Sequence, residues 1–214
     1  MINGESNRIR IVGTVESVEF SHCSHGVDLY QVFVSVKRKT KDRKVFDVLP
    51  VMSKVDCSEL INHKIEIVGQ IRTRNIYTGN TMRLLVNIFP QEMYPVDDST
   101  EDANDVYLDG YICRKPTYRA TPFNKHISDI CFAVRRNGAS DYVPCIAWDK
   151  QALRMAVSDV GDHFELLGKL RSRKYEKHSN DMIEYRTAYE VSIHKMKFVE
   201  GKNDEIEEVE MSEF

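Results

Sequence analysis

Motifs that mark enzymes and membrane proteins are missing from this sequence of 214 residues. Its longest apolar runs fall far short of the roughly 20 apolar residues that a helix needs to cross a bilayer. It has no P-loop, no GxSxG nucleophile elbow, no HExxH zinc motif and no CxxC pair. We therefore expect neither a membrane span nor catalytic activity.

Cysteine is scarce, and its spacing is not that of a disulfide framework. Five cysteines are present, at positions 23, 57, 113, 131 and 145. The last three lie among apolar neighbours at strand-like positions, which predicts reduced core side chains. The first ten residues, MINGESNRIR, also lack the apolar stretch and cleavage site of a secretory signal. These features predict a cytoplasmic protein.

One short segment, HCSHGVD, resembles a metal site. Its possible ligands are His22, Cys23, His25 and Asp28. A structural zinc site takes two separated pairs of ligands, and the sequence offers no second pair. The segment is better explained as a solvated loop between strands, and we expect no metal and no cofactor.

Acidic residues are concentrated in two segments. The last eleven residues, DEIEEVEMSEF, contain six acids and neither Lys nor Arg, and VDDSTEDAND contains five more. Removing these 6 and 5 negative charges changes the formal net charge from −3 to +8. The remainder is therefore basic and suited to a polyanionic partner, with the acid set apart in a linker and a tail.

The chain contains an internal repeat. NRIRIVGTVES returns as NDVYLDGYICR, VFVSVKRK as ICFAVRRN, FDVLPVM as YVPCIAW, and KIEIVGQIRTR as HFELLGKLRSR. The offset is nearly constant, with 97 positions from Gly13 to Gly110 and 99 from Gly69 to Gly168. One domain has been duplicated. The predicted units are an N-terminal domain (1–94), an acidic linker (95–104), a C-terminal domain (105–199) and a disordered acidic tail (200–214).

Each copy alternates apolar and polar residues with the period of a strand. Ile65, Ile67, Gly69 and Ile71 show this pattern, and glycines in mid-strand predict bends or bulges. The exception is DKQALRMAVSDVGD, which predicts a short helix with Asp149 as N-cap and a stop at glycine 161. Three strands, a short helix and two strands per copy match an oligonucleotide/oligosaccharide-binding (OB) fold. The predicted class is all-β with short helices, in two tandem five-stranded Greek-key barrels.

The phrase LGKLRSRKY places a basic and aromatic row on one strand face. Arg171, Arg173 and Tyr175 alternate with residues in phase with the apolar Leu166 and Leu170, so the row points outward. Guanidinium groups neutralise phosphates, and a ring stacks on an unpaired base. The pattern is typical of single-stranded nucleic acid binding, although a solvated strand edge would also carry two arginines.

Further aromatic and basic residues recur on neighbouring elements of the second copy. Tyr142 and the only tryptophan, Trp148, lie six residues apart and can share a face unless Pro144 marks a bulge. Core packing is the alternative for a lone tryptophan. The segment RKPTYRATPFNKH interleaves cations with aromatics in a predicted loop, and the later phrase AVRRN places two arginines at the end of the second predicted strand. The residues singled out there are Tyr118, Arg119, Phe123, Arg135 and Arg136.

The second copy, from about residue 104 to 198, resembles the bacterial single-stranded DNA-binding protein (SSB) family. The blocks that carry the resemblance are NDVYLDGYICRKPTYRATPF, ISDICFAVRR, DYVPCIAW, VGDHFELLGKLRSRKY and YRTAYEVSIHKM. The resemblance implies sequence-independent binding of single-stranded DNA in replication, recombination and repair, and a nucleoid-associated location. It implies base stacking on Tyr142, Trp148 and Tyr175, with phosphate contacts from the strand of Arg171, Arg173 and Lys174.

The resemblance also implies partner recruitment by the acidic tail. Such tails end in an acidic run closed by phenylalanine, and here the apolar tail residues are Ile206, Val209, Met211 and Phe214. This tail differs in having mostly Glu and no Ile-Pro before the final Phe. Family members gather four OB barrels around one strand, which predicts a homodimer of this two-barrel chain. An OB protein-interaction module or primosome-type adaptor that binds nucleic acid weakly is the alternative function.

The first copy matches the family only weakly. By the repeat, its counterparts of the three aromatics are Phe46, Met52 and Ile76, so one ring remains. Basic residues persist, and those we assign to nucleic acid are Lys37, Arg38, Arg72 and Arg74. We expect this copy to bind strand weakly through phosphates or to serve as an assembly surface.

Overall fold

The protein, in a computed structural model, consists almost entirely of strands. The structure describes residues 6–40, 44–79, 81–121, 124–179 and 182–199. The predicted acidic tail and Phe123 lie outside the described residues. In chain order the first half contains β1 (Asn7–Ser24), β2 (Val27–Lys37), β3 (Phe46–Ser53), a 3-10 turn (Ser58–Leu60), β4 (Lys64–Thr78) and β5 (Thr81–Pro95). The second half contains β6 (Ala103–Ile112), β7 (Thr117–Ala120), β8 (His126–Arg136), β9 (Ala139–Trp148), α1 (Asp149–Ala156), β10 (His163–Ser179) and β11 (Met182–Phe198).

Each half closes into a five-stranded barrel. In barrel one the strands follow the order β2-β3-β5-β4-β1, and pairing of β1 with β2 closes the ring. In barrel two the order is β6-β10-β11-β9-β8, closed by pairing of β6 with β8, with β7 added outside β8. The predicted all-β OB architecture is confirmed, because the alternating pattern gives every strand one apolar face to bury.

The apolar faces that the alternation predicts fill the barrels. Ile9, Ile11, Ile65 and Ile67 are fully buried in barrel one, and Phe132, Phe164, Leu108 and Leu166 are at most 1% exposed in barrel two. The ladders shift register next to the mid-strand glycines Gly69 and Gly168, as expected for bulges that curl a small sheet. Among the described residues, no helix is long and apolar enough to cross a membrane.

The short helix starts and ends earlier than the sequence predicts. It begins at Asp149 with Trp148 as its N-cap, so the assignment of Asp149 as N-cap is wrong by one residue. It ends at Ala156, and the predicted stop at Gly161 is wrong as well. Ser158 ends the helix, because its backbone N–H donates to the Met155 carbonyl and its hydroxyl donates to the Arg154 carbonyl. The last-turn carbonyls are therefore satisfied before the glycine is reached.

The cysteines and the HCSHGVD segment differ in part from expectation. All five thiols are free, and Cys145 is buried as predicted. Cys113 and Cys131 are only half-buried, and Cys113, just past the end of β6, lies beside Cys131 of β8. Burial and the neighbouring thiol raise the pKa of Cys113 to about 12. The HCSHGVD segment forms the tip of the β1–β2 hairpin, so it is mostly strand and not the loop that we predicted.

The two barrels share one continuous sheet. Residues 7–12 of β1 pair antiparallel with residues 103–108 of β6, while β1 also pairs with β4. The Asn7 side chain continues the β1–β4 ladder by donating to the Ile71 carbonyl at 2.7 Å and accepting from its N–H at 3.0 Å. Asn104 does the same with Leu170 in barrel two. The two barrels therefore meet with approximate two-fold symmetry.

Candidate nucleic-acid interface

Two aromatic side chains of β9 project from barrel two. Tyr142 is 48% exposed and Trp148 is 39% exposed, whereas Val143 and Cys145 between them point into the core. The strand keeps its alternation past Pro144, which pairs with Cys131 without a register shift. The single tryptophan therefore lies on the surface, at the start of the helix, instead of in the core.

Tyr175 lies on β10, in an arginine-rich setting. Its ring is 37% exposed, and the Arg173 guanidinium carbon lies 5.7 Å from the ring centroid. Arg186 faces Tyr175 across the β10–β11 ladder and donates to Glu184 at 2.6 Å. Sequence reasoning missed Arg186, although its position in the partner strand follows once the hairpin register is known. A base stacked on Tyr175 would have two guanidinium groups within reach of its phosphates.

The β7–β8 hairpin adds a second aromatic group. Tyr118 is 40% exposed, stacks on His126 with ring centroids 5.8 Å apart, and shares a hydrogen bond with its Nδ1. Arg119 donates to Asp129 at 2.9 Å, and this hydrogen bond raises the pKa of Arg119. At the end of β8, the Arg135 guanidinium lies 5.8 Å from the Tyr111 centroid. The β7–β8 hairpin and the end of β8 thus add rings and cations to those on β9 and β10.

Two further carboxylates that the sequence did not single out lie among these cations. Glu190 on β11 is 3.8 Å from the Arg173 guanidinium. Burial, with a smaller contribution from Asp129, raises the pKa of Glu190 above its usual value. Asp129 itself is held by Arg119. Phosphate must therefore compete with Glu190 for Arg173 and with Asp129 for Arg119.

The raised pKa of Glu190 predicts a pH effect on binding of an anionic strand. Protonation removes a negative charge beside Arg173, so affinity should be higher at acid pH and fall as pH rises through the pKa of Glu190 in the folded protein. We expect Glu190→Gln to bind oligo-dT more tightly at pH 7.5 by about fivefold, roughly 1 kcal/mol for one charge near the surface. The variant should also lose part of the pH dependence between pH 5 and 7.5, measured by anisotropy at fixed salt.

Glu165→Gln serves as the matched control, because Glu165 pairs with Lys197 at 3.4 Å on the same barrel, near the start of β10 and far from Tyr175. Its affinity should follow the wild-type pH profile. An identical profile for wild type and Glu190→Gln would show that Glu190 does not cause the pH dependence.

Four of the arginines that we predicted to contact phosphate lie at the joint between the barrels. Arg38 and Arg171 bind Asp47 at 2.6 and 2.8 Å, and Arg72 and Arg136 bind Asp141 at 3.0 and 3.5 Å. The side chain of Arg171 does point outward from β10, as the alternation predicts. Barrel one covers β10 at Arg171, so the Arg171 side chain contacts Asp47 while the Tyr175 ring is exposed to solvent.

The first barrel has no aromatic at the positions equivalent to the three rings. The Val48 N–H donates to Ser172 Oγ, just as the Tyr142 N–H donates to Thr73 Oγ1, so Val48 is the counterpart of Tyr142. The predicted counterparts Phe46 and Met52 are thus wrong by two residues, because β3 and β9 are offset by 94 positions and the other strands by 97 to 99. The corrected counterpart of Trp148 is Lys54, which is exposed, whereas Met52 is buried.

Other residues of barrel one remain on the surface. Phe46 is 48% exposed at the start of β3, and Arg74 is exposed on β4. Tyr77, near the tip of the β4–β5 hairpin, is 71% exposed and was missed, as was Tyr185 of β11 at 74%. An aromatic next to a turn signal such as TGN was the clue in the sequence for Tyr77.

The acidic linker lies against barrel one. Asp102 accepts from the Lys37 backbone N–H at 2.7 Å and pairs with Lys64 at 2.9 Å, and Glu101 lies 3.4 Å from Lys39. A cavity of about 370 Å³ opens where the linker meets both barrels. Its cationic lining consists of Arg10, Lys37, Arg38, Lys39, Lys169 and Arg171. The linker acids therefore already neutralise part of the basic surface of barrel one.

Comparison with known proteins agrees with this geometry. The model of the Single-strand binding protein family matches residues 103–199. Single-stranded DNA-binding protein 1 of Lactococcus lactis subsp. lactis is 30% identical over 88 residues, which are 37% of this chain and 59% of that protein. The chain thus spans less than two thirds of the length of this curated relative.

Solved structures extend the similarity of fold to both barrels. The wild-type single-stranded DNA binding protein from Thermus aquaticus has a TM-score of 0.75 at 16% identity, covering 92% of this chain and 95% of its own. A deletion mutant of that protein gives the same score and identity over 94% and 98%. Identity this low shows the fold alone, but the family model adds the sequence of barrel two. Barrel two is thus similar in sequence to the Single-strand binding protein family, and both barrels are similar in fold to the Thermus aquaticus protein.

Proposed function

We propose that the protein binds single-stranded DNA without sequence preference, chiefly through barrel two. The observation that carries this proposal is a set of three exposed rings, Tyr142, Trp148 and Tyr175, on the two strands that flank β11, with the Arg173 guanidinium beside Tyr175. Every base has a π face, so stacking accepts any sequence, and cations along the path neutralise the backbone. The family match of barrel two supports the same reading.

Quenching of the single tryptophan tests this function. The chain has one Trp, so its emission reports on one position of the interface. We expect oligo-dT to quench Trp148 in a saturable way, with affinity that falls steeply as salt rises, and duplex DNA of equal length to quench far less. If saturating oligo-dT leaves both the emission and the electrophoretic mobility unchanged, the adaptor function, with protein as the main partner, is favoured instead.

Barrel one takes a lesser part in this proposal. Val48, Lys54 and Ile76 occupy the positions of the three rings, so stacking there is lost, while Lys54 and Arg74 keep positive charge on the surface. This barrel contributes phosphate contacts or an assembly surface. The same reasoning assigns the two barrels to separate domains, 1–94 and 105–199, joined by the acidic linker.

The remaining parts of the proposal concern assembly and partners. A homodimer would present four barrels to one strand, and a sedimentation mass of a single chain would exclude it. The acidic tail, residues 200–214, recruits replication and repair proteins through its apolar residues and the final Phe. The protein acts by binding and not by catalysis, and its five free thiols suit a cytoplasmic, nucleoid-associated location.

A further inference from the structure

Two buried aspartates occupy equivalent places at the joint between the barrels. Asp47 of β3 has no exposed surface, and Asp141 of β9 is 1% exposed. They are 94 positions apart, and each is followed three residues later by proline, at 50 and 144. An ionised carboxylate at such depth requires several donors, so the groups around each aspartate are informative.

Asp47 is bound by donors from both barrels. Arg38 of its own barrel donates twice, at 2.6 and 3.0 Å. From barrel two, Arg171 donates at 2.8 Å and the Ser172 backbone N–H at 2.8 Å. Arg38 also reaches across to the Ser172 carbonyl at 3.0 Å. One carboxylate therefore joins β3 of barrel one to β10 of barrel two.

Asp141 repeats this arrangement in the opposite direction. Its own barrel supplies Arg136 at 3.5 Å, and barrel one supplies Arg72 at 3.0 Å and the Thr73 backbone N–H at 2.8 Å. The hydroxyls complete both joints, because Thr73 Oγ1 accepts from the Tyr142 N–H at 2.8 Å. At the Asp47 joint, Ser172 Oγ accepts from the Val48 N–H at 3.1 Å.

The ion pairs with Asp47 and Asp141 hold these arginines at the joint. If Arg72 or Arg171 turned toward a phosphate, a buried carboxylate would lose hydrogen-bond donors. This loss would destabilise the protein by far more free energy than one surface phosphate contact contributes to binding. The stacking residues are close along the chain. Tyr142 follows Asp141 directly, and Tyr175 lies three residues after Ser172. The joints therefore decide where β9 and β10 present their rings relative to barrel one.

We propose that Asp47 and Asp141 are a pair of interbarrel latches, and that Arg38, Arg72, Arg136 and Arg171 serve these latches instead of contacting DNA phosphates. The aspartates act as positioning residues for the stacking rings. The first part stands on the contacts alone. The part about phosphates and positioning rests on the proposed function.

A double-mutant cycle on unfolding tests the latch without DNA. We expect Asp141→Asn and Arg72→Gln each to lower the melting temperature of the full chain by about 5 °C. The double variant should lose no more than the worse single variant, because both changes break one interaction. Arg74→Gln is the control, since Arg74 is exposed two residues further along β4, and its effect should add to that of Asp141→Asn. Additive losses for Asp141→Asn and Arg72→Gln would overturn the latch.

The salt dependence of oligo-dT binding tests the role in DNA binding. Each lost phosphate contact on a single strand lowers the slope of log affinity against log salt by about 0.7. We expect Arg173→Gln to lower the slope by this amount, and Arg72→Gln and Arg171→Gln to keep the wild-type slope while reducing affinity three- to tenfold at every salt concentration. A lower slope for Arg72→Gln or Arg171→Gln would overturn their assignment to the latches, and unchanged affinity would overturn positioning. Absence of wild-type binding would refute the proposed function and leave the unfolding cycle to decide the latch.

Discussion

Replacing Tyr142, Trp148 and Tyr175 together by alanine is expected to lower the affinity for oligo-dT by at least 100-fold. Stacking on an aromatic side chain contributes roughly 1 to 3 kcal/mol per base, so three rings supply about 3 kcal/mol even at the low end. A loss of 1.4 kcal/mol is about tenfold in the dissociation constant. Anisotropy of a labelled oligo-dT measures the change, since the variant has no tryptophan.

The slope of log affinity against log salt should change little in this triple variant, because the cations beside the rings are retained. Phe46→Ala combined with Tyr77→Ala is the matched control in barrel one, where the rings are exposed but lie outside the positions equivalent to the three. We expect the control to lose less than fivefold. A loss below tenfold in the triple variant, with an unchanged melting temperature, would show that these rings do not carry binding.

Replacing Gly69 by alanine is expected to lower the free energy of unfolding by about 1 to 3 kcal/mol, as overpacking does in a tight interior. A Cβ at this position would overlap the backbone carbonyl oxygen of Phe89 on β5, beside the bulge between Val68 and Gly69. A backbone carbonyl cannot rotate away as a side chain can, so the β4–β5 ladder must shift. Urea unfolding followed by circular dichroism measures the loss.

Asn75→Ala on the same strand is the control for Gly69→Ala, because Asn75 is exposed and its replacement should change stability by less than about 0.5 kcal/mol. Equal stability of Gly69→Ala and wild type would mean that the two strands can separate locally at no cost. The glycine would then have no structural reason to recur in both copies of the phrase.

The repeat and the period-two alternation predicted most of the fold. Ile65, Ile67 and Ile71 had to face a core because a strand with one apolar face must cover it, and the duplicated pattern required the same barrel twice. The helix ends were harder, because the hydroxyl of Ser158 competes with Gly161 for the role of terminator, and only the geometry of the last turn decides between them.

The candidate site was predicted in part. The exposure of Tyr142 and Tyr175 followed from alternation, which is local. The partners of Arg72 and Arg171 did not, because an aspartate about 70 or 124 positions away along the chain neutralises each of them. The pattern Asp-x-x-Pro, at 47–50 and 141–144, was the available sign that two acids recur in equivalent strands.

The sequence by itself determined the duplication, the strand content, the excess of basic residues outside the acidic linker and tail, and the loss of two of the three stacking rings from the first copy. These properties depend on residue type and spacing, which are local. Only the tertiary structure decided which cations meet solvent and which meet a buried carboxylate. Charges pair through space, and the β1–β6 junction brings β10 of one barrel onto β3 of the other. An arginine on a free strand face can contact a phosphate, whereas an arginine beside Asp47 is a structural group.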